Sequence, residues 1–595
     1  MERVSDYIIR KINEAGINHV FFIAGRGILY LTDALAKNKN VIPIATYHEQ
    51  GASYAAMAYS SSNNNLGACL VSTGCAATNA VTACLCAYQD SIPMIFISGN
   101  NPLKENVRYT GIKIRTYGSQ EADIINIVRP ITKYAVMLED VNTVVYEVEK
   151  ALYLAREGRK GPVWIDVPLD VQNMHMNENC YQVKYRNVCD NDNCCSIDAS
   201  INEVTGELNK ANHPILLIGG GARNAKRELE KLVTQYNIPC VSSPAGCDIY
   251  GSGYKFSIGT VGSIGGSRSG NFAVQNSDYI LVLGSRLSSQ LTGVRENFGR
   301  HAKVVVVDVD EIEHTKSEIV DKLIVCDAKI FLRKLLECGL KKRHEEWLHK
   351  CLHWKKLFAI HKEQFVQDLI DKNKIDIYTL VDSIFEIVSS NATIITDAGF
   401  EELIVPSAGR FRENQRCLFP AAQGAMGYAI PAIIGAYAAG RKNIICIVGD
   451  GSILMNMQEL QIISKMKIPA KIVVVNNNMY AVIRKRQQDL FRQRTIGNDP
   501  SDGVPTADFS RIAFCFDIKY RHIEYRSELI EYLNDMAADQ LELVEVISVP
   551  EQIYIHESYA FNEKKKLVHR PIEDMAPFLP RSVIKAEMLV PLMEE

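Results

Sequence analysis

Two short runs carry the residue types that hold a hard metal ion beside an anionic group. Gly449-Asp450-Gly451-Ser452 follows the apolar run NIICIV, and Asn476-Asn477-Asn478 follows AKIVVV, with Asp450 and Asn477 twenty-seven positions apart. Such β-branched runs read as buried strands, and in an open α/β sheet ligands lie beyond the carboxyl ends of strands. Mg²⁺ takes an octahedron of oxygens, few from the protein and the rest from phosphate and water. Asp450 offers a carboxylate, Asn477 an amide oxygen and Met479 a main-chain carbonyl. Gly449 and Gly451 let the backbone approach a diphosphate closely, and the helical segment opened by Ser452 turns its N-terminal amides toward negative charge. Either run alone is a turn or a loop; together they form the most specific signal in the chain.

The elements that must position these residues are strands alternating with helical patterns, three times over. This is the habit of an α/β chain with three consecutive open parallel-sheet domains. The first spans 1–175, with strands at HVFFI, NVIPIATY, GACLVS, PMIFIS and PVWIDVP. A polar, Asn-rich stretch over about 177–198 reads as a linker. The second spans 196–345, with PILLIGGG, YILVLGSR and KVVVVDVD, and a charged helical connector, KKRHEEWLHKCLHWKK, leads onward. The third spans 370–556, with TIITDAG, NIICIVGDG and AKIVVVNNN, and a tail over 557–595 has mixed polarity and no period.

Composition narrows the partners. Lys plus Arg (66) nearly balance Asp plus Glu (69), and no basic block interleaved with aromatics appears, so nucleic acid is not expected as a partner and the substrate should be small. No apolar run reaches membrane-spanning length, and the first residues, MERVSDYIIRKINEAG, read as an amphipathic helix rather than a secretory signal. Of sixteen cysteines, Cys69, Cys75, Cys84, Cys86 and Cys446 lie in apolar segments, where a thiol acts as a small hydrophobe, so a reducing cytoplasm is expected. Cys180, Cys189, Cys194 and Cys195 cluster, but without the paired spacing of structural zinc sites.

Three further blocks occur in order: YHEQGASYAAMAYS, STGCAATNAVTACLCAYQDSIPMIFISG and FPAAQGAMGYAIPAIIGA. With the Asp450–Asn477 pair they make the chain, from Met1 to about Pro550, resemble the acetolactate synthase-like family of thiamine-diphosphate enzymes, in particular members found among sugar-biosynthesis functions. The resemblance implies that the three domains are a pyrimidine-binding, a central Rossmann-like and a diphosphate-binding domain, with thiamine diphosphate held through Mg²⁺. It implies that Glu49 relays a proton to the aminopyrimidine ring and so promotes loss of the thiazolium C2 proton. Met426 matches the apolar wedge between the cofactor's two rings, the Gly424 carbonyl and Met426 amide match the hold on the pyrimidine edge, and Gln120 matches a glutamine near the reacting carbon. Glu49 of one subunit would face the diphosphate site of another, in a homodimer or homotetramer.

Departures from the family pattern cluster around the acceptor. A Pro-Gly-Gly turn is replaced by Ala24-Gly25-Arg26-Gly27, Gln290 stands where an arginine meets the acceptor carboxylate, and Arg486 stands where a tryptophan shapes the acceptor pocket. Two arginines suit an anionic or polyhydroxylated acceptor, such as a keto-sugar, better than a second 2-keto acid. Pyruvate remains the expected donor. In the middle domain, Gly219-Gly220-Gly221-Ala222-Arg223, Arg286, and Asp308 with Asp310 match parts of an FAD site of several relatives, although a glycine-rich turn after a strand is equally a tight turn without ligand. The expected reaction is decarboxylation of a 2-keto acid and transfer of the two-carbon unit to a carbonyl acceptor. Acetolactate synthase proper, a simple decarboxylase and a cyclic-diketone hydrolase are the alternatives. A catalytically dead relative is disfavoured by the presence of Glu49, Asp450 and Asn477.

Overall fold

The short β-branched runs become strands of parallel sheets, where burial on both faces demands continuous hydrophobicity. The computed structural model describes residues 1–185, 197–315, 318–537, 539–554, 559–561 and 567–593. Its first sheet comprises β1 (His19–Phe22), β2 (Ile42–Ala45), β3 (Gly67–Val71), β4 (Met94–Asn100), β5 (Tyr134–Met137) and β6 (Pro162–Pro168), in the order β2-β1-β3-β4-β6-β5. The second comprises β7 (Pro214–Ile218), β8 (Cys240–Ser242), β9 (Ser257–Thr260), β10 (Tyr279–Leu283), β11 (Lys303–Asp308) and β12 (Lys322–Val325), in the order β12-β11-β10-β7-β8-β9. The third comprises β13 (Thr393–Ile395), β14 (Arg416–Leu418), β15 (Ile444–Gly449), β16 (Ala470–Asn476), β17 (Lys519–Ile523) and β18 (Glu542–Ile547), in the order β14-β13-β15-β16-β18-β17.

Each sheet reverses its winding direction beside its first strand, between β1 and β3, between β7 and β10, and between β13 and β15. A crevice opens beyond the carboxyl ends at such a point. All three glycine-rich turns noted in the sequence flank one: Gly25 and Gly27 after β1, Gly219–Gly221 after β7 and Gly449–Gly451 after β15. Register is regular across the third sheet's centre, from Ile444 opposite Ala470 to Gly449 opposite Val475, which sets the Asp450 and Asn477 loops side by side.

The first and third sheets are joined by two helices with small residues at their contact. Helix Glu49–Asn63 buries nearly all of its faces, with Ser53 and Ala56 turned to β3 and Ala55 to helix Ala429–Ala438. A Cβ on Gly435 would stand 1.9 Å from the Ala55 carbonyl oxygen, so the backbones themselves touch.

The C-terminal residues complete the middle layer. Ile572, Met575, Ile584 and Met588 enter one core with Phe272, Trp347 and Trp354. Arg268 pairs with Glu363 at 2.7 Å and donates to the carbonyls of Met575 and Pro577, while Gln275 donates to Glu573 at 2.8 Å. The charged connector is helix Glu345–Leu357, whose Trp347 donates to the Pro214 carbonyl at 2.9 Å. Cys180 is buried; Cys189, Cys194 and Cys195 lie outside the described residues. Among the described residues no helix is long and apolar enough to cross a membrane.

Candidate active site

At the reversal of the third sheet, carboxylates gather with few cations near them. Asp450 follows β15, and its Oδ2 accepts the Asn478 amide at 2.7 Å. Burial pushes the Asp450 carboxyl up to about 6, against the pull of the Asn478, Gly451, Asn477 and Met479 amides. Asp397 follows β13; burial pushes it up to about 6 as well, and its Oδ1 has no hydrogen-bond partner. Glu401 is pushed up to about 8 by burial, with the charges of Asp450 and Asp397 adding. Glu402 is pushed up to about 8 by burial and by the charges of Asp90 and Asp397. A bound cation would favour the ionised forms of such a group. The donors at the two adjacent strand ends, a carboxylate on Asp450 and an amide oxygen on Asn477, are hard oxygens of the kind Mg²⁺ selects. The Asn477 side chain accepts the Met479 amide at 3.2 Å, which folds the loop so that 477–479 stand together beside Asp450.

Ser452 fixes the next piece of the site. Its hydroxyl donates to Asp397 Oδ2 at 2.7 Å and accepts the Gly427 amide at 3.0 Å, tying the Asp450 turn to the loop that carries Met426. That loop needs two left-handed residues, Gly424 (φ 54°) and Gly427 (φ 82°), and a Cβ on Gly424 would stand 2.2 Å from Glu402 Oε2. Met426 is half-buried between them. Gly451 has no room for a side chain either, since a Cβ there would stand 2.0 Å from the Tyr480 ring.

The first sheet delivers Glu49 as the opening residue of helix Glu49–Asn63, with the His48 ring capping the helix by accepting the Gln50 amide at 3.1 Å. Glu49 Oε2 accepts from Asn79 Nδ2 at 2.9 Å. Gln120 adopts a left-handed conformation (φ 61°), and its carbonyl packs on Gly74, where a Cβ would stand 2.0 Å away. The Gly74–Asn79 segment therefore brings the Gln120 loop and Glu49 to one end of the sheet. Arg26 is exposed at the start of the turn Arg26–Ile28 after β1, and Arg486 is exposed on helix Ala481–Leu490 after the asparagine loop.

Comparison with known proteins agrees with this arrangement. The N-terminal TPP-binding domain of thiamine pyrophosphate enzymes matches residues 2–127, their central domain matches 201–335 and their C-terminal TPP-binding domain matches 397–546. The chain belongs to the thiamine pyrophosphate enzymes. It is 31% identical to the acetolactate synthase large subunit of Cyanidium caldarium, over 84% of this chain and 86% of that one. It is 29% identical to the large subunit of Lactococcus lactis (91% and 92% covered) and 28% identical to the isozyme 1 large subunit of Escherichia coli (94% and 94%). This thiamine pyrophosphate enzyme is thus acetolactate synthase-like over most of its length.

The middle layer of the enzyme contains a cavity of about 340 Å³ at the reversal between β7 and β10, where all three layers meet. Gly220, Gly221, Arg286 and Asp308 line it, together with Gln290. Its floor is tight: the Gly221 amide donates to the Gly284 carbonyl at 3.0 Å, and a Cβ on Gly221 would stand 3.0 Å from the Gly284 Cα. Asp90, from the first layer, reaches the same cavity; burial pushes it up to about 7, offset in part by Arg286.

Several residues that shape the site were not singled out from the sequence. Asp397 follows the strand TIIT as Asp450 follows IICIVG, and that shared position was a readable signal. Glu401 and Glu402, in contrast, follow Gly399-Phe400 with nothing to distinguish them from a solvated helix start; only burial marks them.

Proposed function

We propose that this enzyme is a carboligase that decarboxylates a 2-keto acid, pyruvate by family analogy, and transfers the two-carbon unit to a carbonyl acceptor. The observation that carries this reading is the pairing, at the reversal of the third sheet, of an oxygen-donor set (Asp450 and Asn477) with the Met426 loop that Ser452 ties to it. Asp450, Asn477 and the Met479 carbonyl would hold Mg²⁺ and through it the diphosphate, with Gly449 and Gly451 giving the backbone close approach. Thiamine diphosphate, when bound, supplies the carbon nucleophile and the sink for the electron pair left by decarboxylation. Around it the chain orients and protonates. Met426 would wedge between the rings, the Gly424 carbonyl and Met426 amide would hold the pyrimidine edge, and the Glu49 carboxyl would share a proton with the ring nitrogen. Gln120 would lie near the reacting carbon, as its match in the family does.

Glu49 and Asp450 of one chain would serve two different sites, which requires a homodimer or homotetramer. Exposed apolar side chains support this: Tyr47 is 60% exposed beside Glu49 and Met455 is 51% exposed beside the Asp450 turn. A second copy would cover these side chains. Arg26 and Arg486 would recognise an anionic acceptor such as a phosphorylated or nucleotide-linked keto-sugar. The middle cavity would admit the nucleotide portion of FAD against Gly220, Gly221, Arg286 and Asp308; flavin absorbance of the purified protein tests this, and a colourless, fully active preparation refutes it.

The deciding experiment is product analysis from pyruvate with a panel of keto acids and keto-sugars. Acetaldehyde from pyruvate alone would make the enzyme a decarboxylase, acetolactate would make it an acetolactate synthase, and a new carbon–carbon bond formed only with a sugar acceptor supports the proposed reading.

A further inference from the structure

The segment Ile453–Glu459, directly after the Asp450 turn, touches both halves of the catalytic apparatus within one chain. Glu459 is fully buried at 0% exposure, more than four hundred residues from its partners in sequence. Its Oε1 accepts the Tyr47 and His48 amides, each at 3.1 Å, and Oε2 accepts the Tyr47 amide at 3.3 Å. Those are the last two amides before Glu49. Gly51, one helical turn on, leaves the space this carboxylate needs, since a Cβ there would stand 2.5 Å from Glu459 Oε1. Asn456, 1% exposed, donates from Nδ2 to Gln50 Oε1 at 2.9 Å and to the Gly427 carbonyl at 2.8 Å, joining the same turn to the loop that carries Met426.

From this geometry we infer that Glu459 is a positioning residue for Glu49. By gripping the two amides that precede helix Glu49–Asn63 it sets the height and rotation of the Glu49 side chain, and Asn456 fixes that turn against the Met426 loop. The inference rests on the reading of Glu49 as the proton relay. Two converging N–H groups demand an acceptor, and one oxygen, Oε1, already receives both. A glutamine at 459 therefore keeps the grip, whereas an aspartate, shorter by about 1.5 Å, loses the reach while keeping the charge. A relay carboxyl displaced by about 1 Å can lose up to about a hundredfold in rate.

The test compares Glu459→Gln, Glu459→Asp and Glu459→Ala with Glu49→Gln in the full chain, folding being checked by thermal unfolding. In cofactor-free protein, hydrogen exchange of the 46–52 backbone amides is followed by mass spectrometry. Protection should survive in Glu459→Gln and fall by about tenfold or more in Glu459→Asp and Glu459→Ala. With saturating Mg²⁺ and thiamine diphosphate, H/D exchange at the cofactor's C2 should likewise be near normal in Glu459→Gln and slowed about tenfold or more in Glu459→Asp. Wild-type C2 exchange in Glu459→Asp overturns the inference, as does a Glu459→Gln variant as slow as Glu459→Asp. If Glu459→Ala fails to fold, the Gln and Asp variants decide. Unchanged C2 exchange in Glu49→Gln sinks the relay reading instead, and the amide protection pattern still judges the grip.

Discussion

The first and third sheets wind through the same strand order, but the chain fills one reversal with its own backbone and leaves the other to charged side chains. Between β1 and β3, a Cβ on Gly25 would stand 2.4 Å from Ser72 Oγ, one on Gly99 would stand 1.8 Å from the Gly27 carbonyl, and Gln172 donates to that carbonyl at 2.6 Å. A side chain on either glycine has no room there. The first sheet instead presents its chemistry from a neighbouring strand end, through the helix that begins at Glu49 after β2. Between β13 and β15 the chain places Asp397, Asp450 and Glu401, carboxyls that burial raises, with the charges of Asp450 and Asp397 adding at Glu401. In the proposed reading, one topology thus serves a proton relay in one case and a metal-held diphosphate in the other.

Glu49→Gln should have the largest effect. The amide still hydrogen-bonds but relays no proton, so H/D exchange at C2 should slow by about 10²–10⁴-fold with cofactor affinity largely retained. Unchanged exchange would take the relay out of the first sheet. Asp450→Ala should act on affinity instead, weakening Mg²⁺ and thiamine diphosphate together by about tenfold or more, read by titrating activity or fluorescence quenching. Gly99→Ala sharpens the contrast: overfilling the closed reversal should cost about 1–3 kcal/mol, seen as a lower unfolding temperature, with Mg²⁺ affinity unchanged. A change in metal affinity there would mean the two reversals are not separate.

Arg486→Trp should lower kcat/KM for the true acceptor by about tenfold or more, from loss of one charge-assisted hydrogen bond of about 1.5–3 kcal/mol, while pyruvate decarboxylation without acceptor barely changes. Efficient acetolactate formation by the wild type, with keto-sugars inert, would dismiss this role. The smallest effect is on pH dependence. Glu401 and Glu402 are raised to about 8 in the folded chain, above the usual carboxylate value, so the stability they contribute is complete in acid and is lost as pH rises through about 8. The cofactor-free protein should unfold at a lower temperature at pH 8.5 than at pH 6, by about 1 °C per kcal/mol for a chain of this length. Glu401→Gln should flatten that slope; an unaltered slope would show that Glu401 does not carry it.

Interior strands other than β18 and β8, which is only three residues long, were legible because burial on both faces forces runs such as IICIVG and KIVVV. The edge strands β5, β9, β12, β14 and β17 were not. Three of them, β5, β12 and β17, are partly exposed along their length and carry mixed patterns, as in KYRHI. β18 alternates glutamates with apolar residues, which hides an interior strand. The tail offered no period because its apolar residues, Ile572, Met575, Ile584 and Met588, fit a core built by other parts of the chain.

Asp450, Asn477 and the glycines around them could be read from local order alone, since a strand end is a local event and each motif follows its own strand. The order of the strands, which makes those ends into crevices, depends on pairings across hundreds of residues and is set by the fold. The same holds for Glu459 and Asn456. Their side chains are unremarkable in sequence, and they acquire a role only because two small-residue helices, Glu49–Asn63 and Ala429–Ala438, pack close enough to bring the Glu49 turn within hydrogen-bonding distance of the Asp450 half of the chain.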